Sequence, residues 1–269
     1  MKKYPGYLKA AQGAAREAGR FLERNLNAGG KVYFKGAVDL VTDADRRSQE
    51  MIFNRLSALF PGHDFLAEEG LSEEHGAEYR WIFDPLDGTT NFAHHFPIFS
   101  VSIALELRGE VICGVVYDPT RDEMFWATKG GGAFLNGKKI RVSATGELDK
   151  SLLATGFPYD IRISRVNNIA HFSNFIVRAQ AVRRCGSAAL DLCYLGCGRF
   201  DGFWELKLKP WDVAAGVLIV REAGGLVTDF KGNEFRAYNS EVLGSNGLIH
   251  GQMIETLRLG RAKKLKSKK

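Results

Sequence analysis

What this sequence lacks narrows its class before any motif is considered. No uninterrupted apolar run approaches the ~20 residues needed to cross a bilayer. The opening Met1-Lys2-Lys3-Tyr4-Pro5 has no apolar secretion-signal core, so no membrane contact and a cytoplasmic location are expected. Cysteine is scarce, four in 269 residues, which fits a reducing compartment better than a disulfide framework. Cys193 and Cys197 stand four apart on an expected helix, but no CxxC or histidine partner accompanies them, so they are read as core residues. There is no GxxxxGK[ST] phosphate loop, and no helix pattern follows Gly130-Gly131-Gly132, which therefore reads as a turn. Repeats and low-complexity segments are missing as well. Even the net charge of +6 is local, because residues 261–269, RAKKLKSKK, hold one Arg and five Lys and leave the rest formally neutral. Such an end can touch RNA or an acidic partner, but the charge of the body gives no support for nucleic-acid binding.

What is present is a chain long enough, with 45% hydrophobic residues, for a substantial core in one large domain or two lobes. Leu8, Ala11, Ala15, Ala18, Leu22 and Leu26 recur at helical spacing, and so do Met51, Ile52, Leu56 and Leu59 in a second helix that Thr42-Asp43-Ala44-Asp45 introduces. Segments 99–107, 111–117 and 123–128 alternate as an antiparallel meander, and Asn136-Gly137 is a hairpin signal. Near 143–149 the pattern changes to alternating strands and helices. The expected division is an N-terminal α+β lobe, 1–145, a C-terminal α/β lobe, 146–260, and a basic tail, 261–269. In the second lobe, strands are expected at 152–156, 181–185 and 200–205 and helices at 167–178, 186–195 and 209–222.

The chemistry centres on Trp81 to Phe92, WIFDPLDGTTNF. Trp81-Ile82-Phe83 reads as a buried strand that delivers Asp84 and Asp87 into a loop stiffened by Pro85. Two carboxylates forced together, with the Leu86 carbonyl between them, suit hard cations, which relieve the repulsion that would otherwise protonate one acid. Gly88 lets backbone N–H groups approach an anion, and Thr90 can open a helix whose N-terminus favours phosphate. Asp-Pro-Leu-Asp-Gly is equally compatible with an ordinary turn. Other acids have similar alternatives: Asp45 and Asp212 as helix caps, Glu68 and Glu69 as solvated acids ending a strand expected over Asp64 to Glu69, of which only one can face the site. His94 and His95 flank the acidic loop without further ligand spacing.

Taken together, Asp39-x-Val-Thr-x-x-Asp45, the acidic pair after Phe65, WIFDPLDGTTNF, Gly186-Ser187-Ala188-Ala189, Glu205, and Trp211-Asp-Val-Ala-Ala-Gly followed by Glu222-Ala-Gly-Gly resemble the inositol monophosphatase family, bacterial branch, within the Mg²⁺-dependent, lithium-sensitive phosphatases. The resemblance spans residues 4 to about 260, with Ala67 where the family usually has Gly. It implies an α+β fold layered as an αβαβα sandwich and a homodimer. It implies two or three Mg²⁺ ions held by Glu68, Asp84, the Leu86 carbonyl, Asp87 and Asp212. Asp45 and Thr89 would orient the attacking water, with Glu68 beside them. Gly88 and Thr89, next to Asp87, would hold phosphate, while Arg183, Gly186, Ser187, Ala188 and Glu205, with Asp212, would face the substrate. The implied reaction is hydrolysis of myo-inositol monophosphate, with fructose-1,6-bisphosphatase activity as an alternative. Some bacterial relatives also associate with RNA polymerase in antitermination.

Overall fold

The computed structural model describes residues 4–26, 32–34 and 40–259. Asp39, the side chain of Thr42 and the basic run 261–269 lie outside what is described. Helix α1 (Pro5–Asn25) starts at a proline, whose fixed φ suits a first turn. Strands β1 (Val32–Phe34) and β2 (Leu40–Thr42) pair antiparallel and lead into α2 (Asp43–Leu59), with Asp43 and Asp45 in its first turn. Then come β3 (Asp64–Ala67), β4 (Ser72–Glu73), β5 (Tyr79–Asp87), the short helix α3 (Thr89–Ala93), β6 (Ser100–Leu107), β7 (Glu110–Asp118), β8 (Glu123–Thr128), β9 (Gly132–Leu135) and β10 (Lys138–Lys139). These strands, from β3 on, form one eight-stranded sheet in the order β10-β9-β8-β7-β6-β5-β3-β4, antiparallel except where β3 meets β5.

The chain continues through β11 (Leu152–Thr155), α4 (Ile169–Ile176), β12 (Ala181–Arg183), α5 (Ala188–Gly196), β13 (Gly202–Leu206), α6 (Pro210–Glu222), β14 (Leu226–Thr228), β15 (Glu241–Ser245) and α7 (His250–Arg258). Five of these are strands of a second sheet, ordered β12-β11-β13-β15-β14. β11 runs parallel to β12 and β13, whereas β15 is antiparallel to both its neighbours. The alternating pattern of the sequence pointed to the parallel part. It missed β14, β15 and α7, because Glu241-Val-Leu-Gly-Ser is a short, almost wholly buried run with no period of its own.

Strand alternation assigns the layers. On β6, Val101, Ile103 and Leu105 enter a core shared with Leu8, Ala11, Ala15, Ala18 and Leu22 of α1 and Ile52 and Leu56 of α2. Ala104 faces the other way, as do Val116 of β7 and Phe125 and Ala127 of β8, toward α5 and α6. Those two helices are apolar almost all round because a sheet lies on each side. At Gly114 of β7 a Cβ would sit 2.9 Å from Ala215 Cα of α6, so the bare backbone sets the helix-to-sheet spacing. A third core unites Trp204, Phe175, Leu243 and Met253 beneath α4 and α7. The stacking is α1 and α2, sheet, α5 and α6, sheet, α4 and α7: the layered αβαβα sandwich.

Candidate active site

The two acids expected in a loop stand on the strand itself. β5 continues through Asp87, but Asp84 lies opposite Ser102 and Asp87 opposite Ser100, so three steps on β5 match two on β6. This is a bulge, and Pro85, which has no N–H for the ladder, falls inside it. The kink brings both carboxylates to one pocket, and the Leu86 N–H donates to Asp84 Oδ1 at 2.9 Å. Ser48 of α2 donates to the Pro85 carbonyl at 2.7 Å, tying the helix that carries Asp45 to the bulge. Gly88 follows with φ +104° and would place a Cβ 3.0 Å from the Ile98 carbonyl, so only glycine fits this turn. The helix beyond it begins at Thr89, one residue earlier than expected. Thr89 Oγ1 is 2.9 Å from Asp45 Oδ1 and 3.1 Å from the Leu86 carbonyl, and its single hydrogen can serve one of them at a time.

The pocket, about 470 Å³, is lined by Glu68, Asp84, Leu86, Asp87, Gly88 and Thr89 from the first half of the chain and by Gly186, Ser187, Ala188, Glu205 and Asp212 from the second half. β3 ends at Ala67, so Glu68 sits on the turn that follows. Of the acidic pair it is Glu68 that lines the pocket, while Glu69 exchanges backbone hydrogen bonds with Gln49. Asp212 enters from the first turn of α6, its carboxylate accepting the Lys209 N–H at 2.7 Å. Asp87 is bound to the start of α5: its Oδ2 accepts from Ser187 Oγ at 2.5 Å and from the Ala189 N–H at 2.8 Å. Ser187 and Ala188, expected to face the alcohol, therefore also hold a carboxylate of the first sheet and join the two halves of the pocket.

Burial raises Asp84, Asp87, Glu205 and Asp212. Asp84 is held well above the usual carboxylate range by burial first and then by Glu68, Asp87 and Asp212. Burial pushes Asp212 up likewise, reinforced by Asp87, Glu68 and Glu205. Asp87 rises only to about 6, because burial is countered by Ser187 and the α5 N–H groups. Glu205, buried at 7% exposure on β13, rises to about 8 through burial, with Arg184 opposing. Among the described residues no three His, Cys, Asp or Glu side chains are drawn together tightly enough to close on an ion. The carboxylates instead reach the pocket from β5, from the turn after β3 and from α6, and repel one another. A buried, all-oxygen donor set of that kind fits hard cations, whose charge removes both penalties.

Some expected residues stand elsewhere. Arg183 closes β12 in register with Ala154, is exposed and does not line the pocket; Arg184, the residue just past the strand, does. His94 is exposed, and His95 meets the Leu26 carbonyl through Nδ1; neither lines the pocket. Cys193 is buried, and Cys193 and Cys197 pack with the core around α5 and α6. The pocket also contains Asp191 of α5 and the segment Gly156 to Asp160, which motif reading passed over because each looks like ordinary helix or loop sequence. The usable signal was an acid in the first turn of the helix that follows Gly186.

A sequence profile of the inositol monophosphatase family matches residues 6–261. The chain belongs to the inositol monophosphatase family. An inositol-1-monophosphatase of Mesorhizobium japonicum is 43% identical over 248 residues, covering 91% of this chain and 93% of that protein. The Nus factor SuhB of Escherichia coli K12 is 41% identical, over 93% of this chain and 95% of its own. Among solved structures, the inositol monophosphatase of Anabaena sp. PCC 7120 superposes with a TM-score of 0.86 at 42% identity, covering 94% of this chain and 95% of that one. The protein is thus a phosphatase of the inositol monophosphatase type, and family members are generally metal-dependent. Among the described residues no helix is long and apolar enough to cross a membrane.

Proposed function

We propose that this inositol monophosphatase-family protein is a Mg²⁺-dependent phosphomonoesterase of the cytoplasm that hydrolyses myo-inositol monophosphate to inositol and phosphate. The supporting observation is the convergence of Glu68, Asp84, Leu86, Asp87 and Asp212 on one pocket in which burial and mutual repulsion disfavour their charge. Two or three Mg²⁺ ions held there would neutralise the phosphate ester and make water a competent nucleophile. Thr89, by donating its hydrogen to Asp45, keeps its oxygen lone pairs free to accept a hydrogen of that water and so to orient it. Gly88 and Thr89 lie where the backbone can approach phosphate closely. Glu205, a buried acceptor on the pocket wall, takes hydroxyl donors of the alcohol. Arg184, in the place expected for Arg183, supplies the positive charge nearest that end.

Phosphate release from inositol monophosphate, with and without Mg²⁺, tests the assignment in wild type and in Asp87→Asn and Asp84→Asn. Each variant should keep its fold and lose ~100-fold or more in turnover. Undiminished turnover in folded Asp87→Asn would overturn the site. The family also implies a homodimer, which sedimentation would test, and inhibition by Li⁺. A second reading is an added role in a transcription complex, favoured by the 41% identity to the E. coli Nus factor. Co-purification of RNA polymerase with the wild type, but not after removal of 261–269, would support a contact through the basic run.

A further inference from the structure

We propose that Asp191 is a second carboxyl of the alcohol end of the pocket, acting beside Glu205, and that the bare backbone at Gly156 is what lets the two close on one polyhydroxylated ring. The inference rests on the phosphomonoesterase reading and extends it to which alcohols the pocket takes. Asp191 lies in the first turn of α5, is 1% exposed and lines the pocket. The Cys185 thiol donates to its carboxylate, yet Asp191 Oδ1 has no hydrogen-bond partner among the described residues. A covered carboxylate oxygen without a donor is costly, and native interiors rarely leave one so. The space that Asp191 borders is the pocket, so a hydroxyl bound there is the donor that can reach it.

Glu205 shares the position. It is buried, lines the same pocket and receives no side-chain hydrogen bond among the described residues, while Arg184 and Asp191 are among the charges that act on it. Its carboxylate lies against Gly156, where a Cβ would come within 2.1 Å of Oε1 and 2.3 Å of Cδ. Gly156 has no freedom to retreat. Asn168 Nδ2 donates to the Gly156 carbonyl at 2.6 Å and lies 2.7 Å from Thr155 Oγ1, and Trp204 Nε1 fixes Asn168 Oδ1 at 2.8 Å, all of it buried. Any side chain at 156 therefore displaces Glu205 rather than the floor.

Two carboxyls facing one guanidinium select hydroxyl donors over a further anion. The substrate class is the monophosphate of a neutral polyol with at least two free hydroxyls, and a second phosphate is disfavoured. The experiment measures kcat and KM of the full chain with Mg²⁺ on inositol monophosphate, a hexose bisphosphate and p-nitrophenyl phosphate, for wild type, Asp191→Ala, Asp191→Asn and Gly156→Ala. Asp191→Ala and Gly156→Ala should each lower kcat/KM for inositol monophosphate by about 10- to 100-fold, chiefly through KM, and change the aryl ester by less than about threefold. Asp191→Asn, which keeps a carbonyl acceptor, should recover part of the loss. Equal losses on inositol and aryl esters, no loss on either, or a wild type that prefers the bisphosphate would overturn the inference while leaving the phosphatase reading intact. A wild type active on the aryl ester but not on inositol monophosphate would overturn the reading and the inference together. Gly156→Ala leaves Asp191 in place, so the proposal stays testable should Asp191→Ala fail to fold.

Discussion

Glu205→Gln should make the protein more stable and less selective, and both effects follow from one buried carboxyl. Burial lifts Glu205 from its ordinary 4.5 to about 8, with Arg184 opposing and Asp191 and Asp87 adding to the rise. A raised acid is one whose neutral form the fold prefers. Its contribution to stability is intact below pH 4.5 and is lost as pH climbs toward about 8. Because the carboxyl is buried, the displacement corresponds to about 5 kcal/mol when ionisation is complete, and to about 2 kcal/mol at pH 6. Glutamine, a neutral isostere, escapes this term. Urea unfolding with divalent ions chelated should find the variant more stable than wild type by about 2 kcal/mol at pH 6 and by up to about 5 kcal/mol at pH 9. Assayed above pH 8, where Glu205 is ionised, the same substitution should lower kcat/KM for inositol monophosphate by ~10- to 100-fold and spare an aryl phosphate, since one charged hydrogen bond to the ring is lost. A stability gap that does not change between pH 6 and pH 9, or a variant less stable than wild type at pH 9, would refute the reasoning.

Gly114→Ala forces a methyl to within 2.9 Å of Ala215 on α6; it should cost about 1–3 kcal/mol in a denaturant titration, and because α6 carries Asp212, turnover should fall with it. Thr89→Val keeps the shape of the side chain but removes the 2.9 Å bond to Asp45, so kcat should drop by ~100-fold with little change in KM, and an unchanged kcat would remove Thr89 from the chemistry. Deletion of residues 261–269 should leave phosphate release intact, because every proposed site residue lies between Asp45 and Asp212 and the run has almost no apolar residue with which to dock; lost activity would show that the end folds onto the body.

The sequence by itself determined which acids and glycines mark the pocket and most of the elements that carry them. DPLDGTTNF after an apolar strand, a glycine-opened helix at 186 and a Pro-Trp-Asp helix start at 210 each combine a local conformational preference with a carboxylate or an N–H at a fixed offset. Local offsets of that kind survive without knowledge of the fold. The meander was legible for the same reason, because its period of two is written residue by residue.

Tertiary structure alone decided three things. It put Asp84 and Asp87 within one strand, because whether Pro85 ends a strand or bulges it depends on the register against Ser100 and Ser102. It chose Arg184 over Arg183, because the strand ends at Arg183 and the path of the chain beyond a strand end, which takes Arg184 to the pocket, is set by the tertiary fold. It brought Asp191 and Gly156 to one pocket and set Asn168 behind Gly156 as its support, although they lie on a helix, a strand end and a loop. Gly156 and Glu205 meet only because β11 and β13 pair side by side in the second sheet, and a contact between residues so far apart in the chain leaves no trace in the spacing of either.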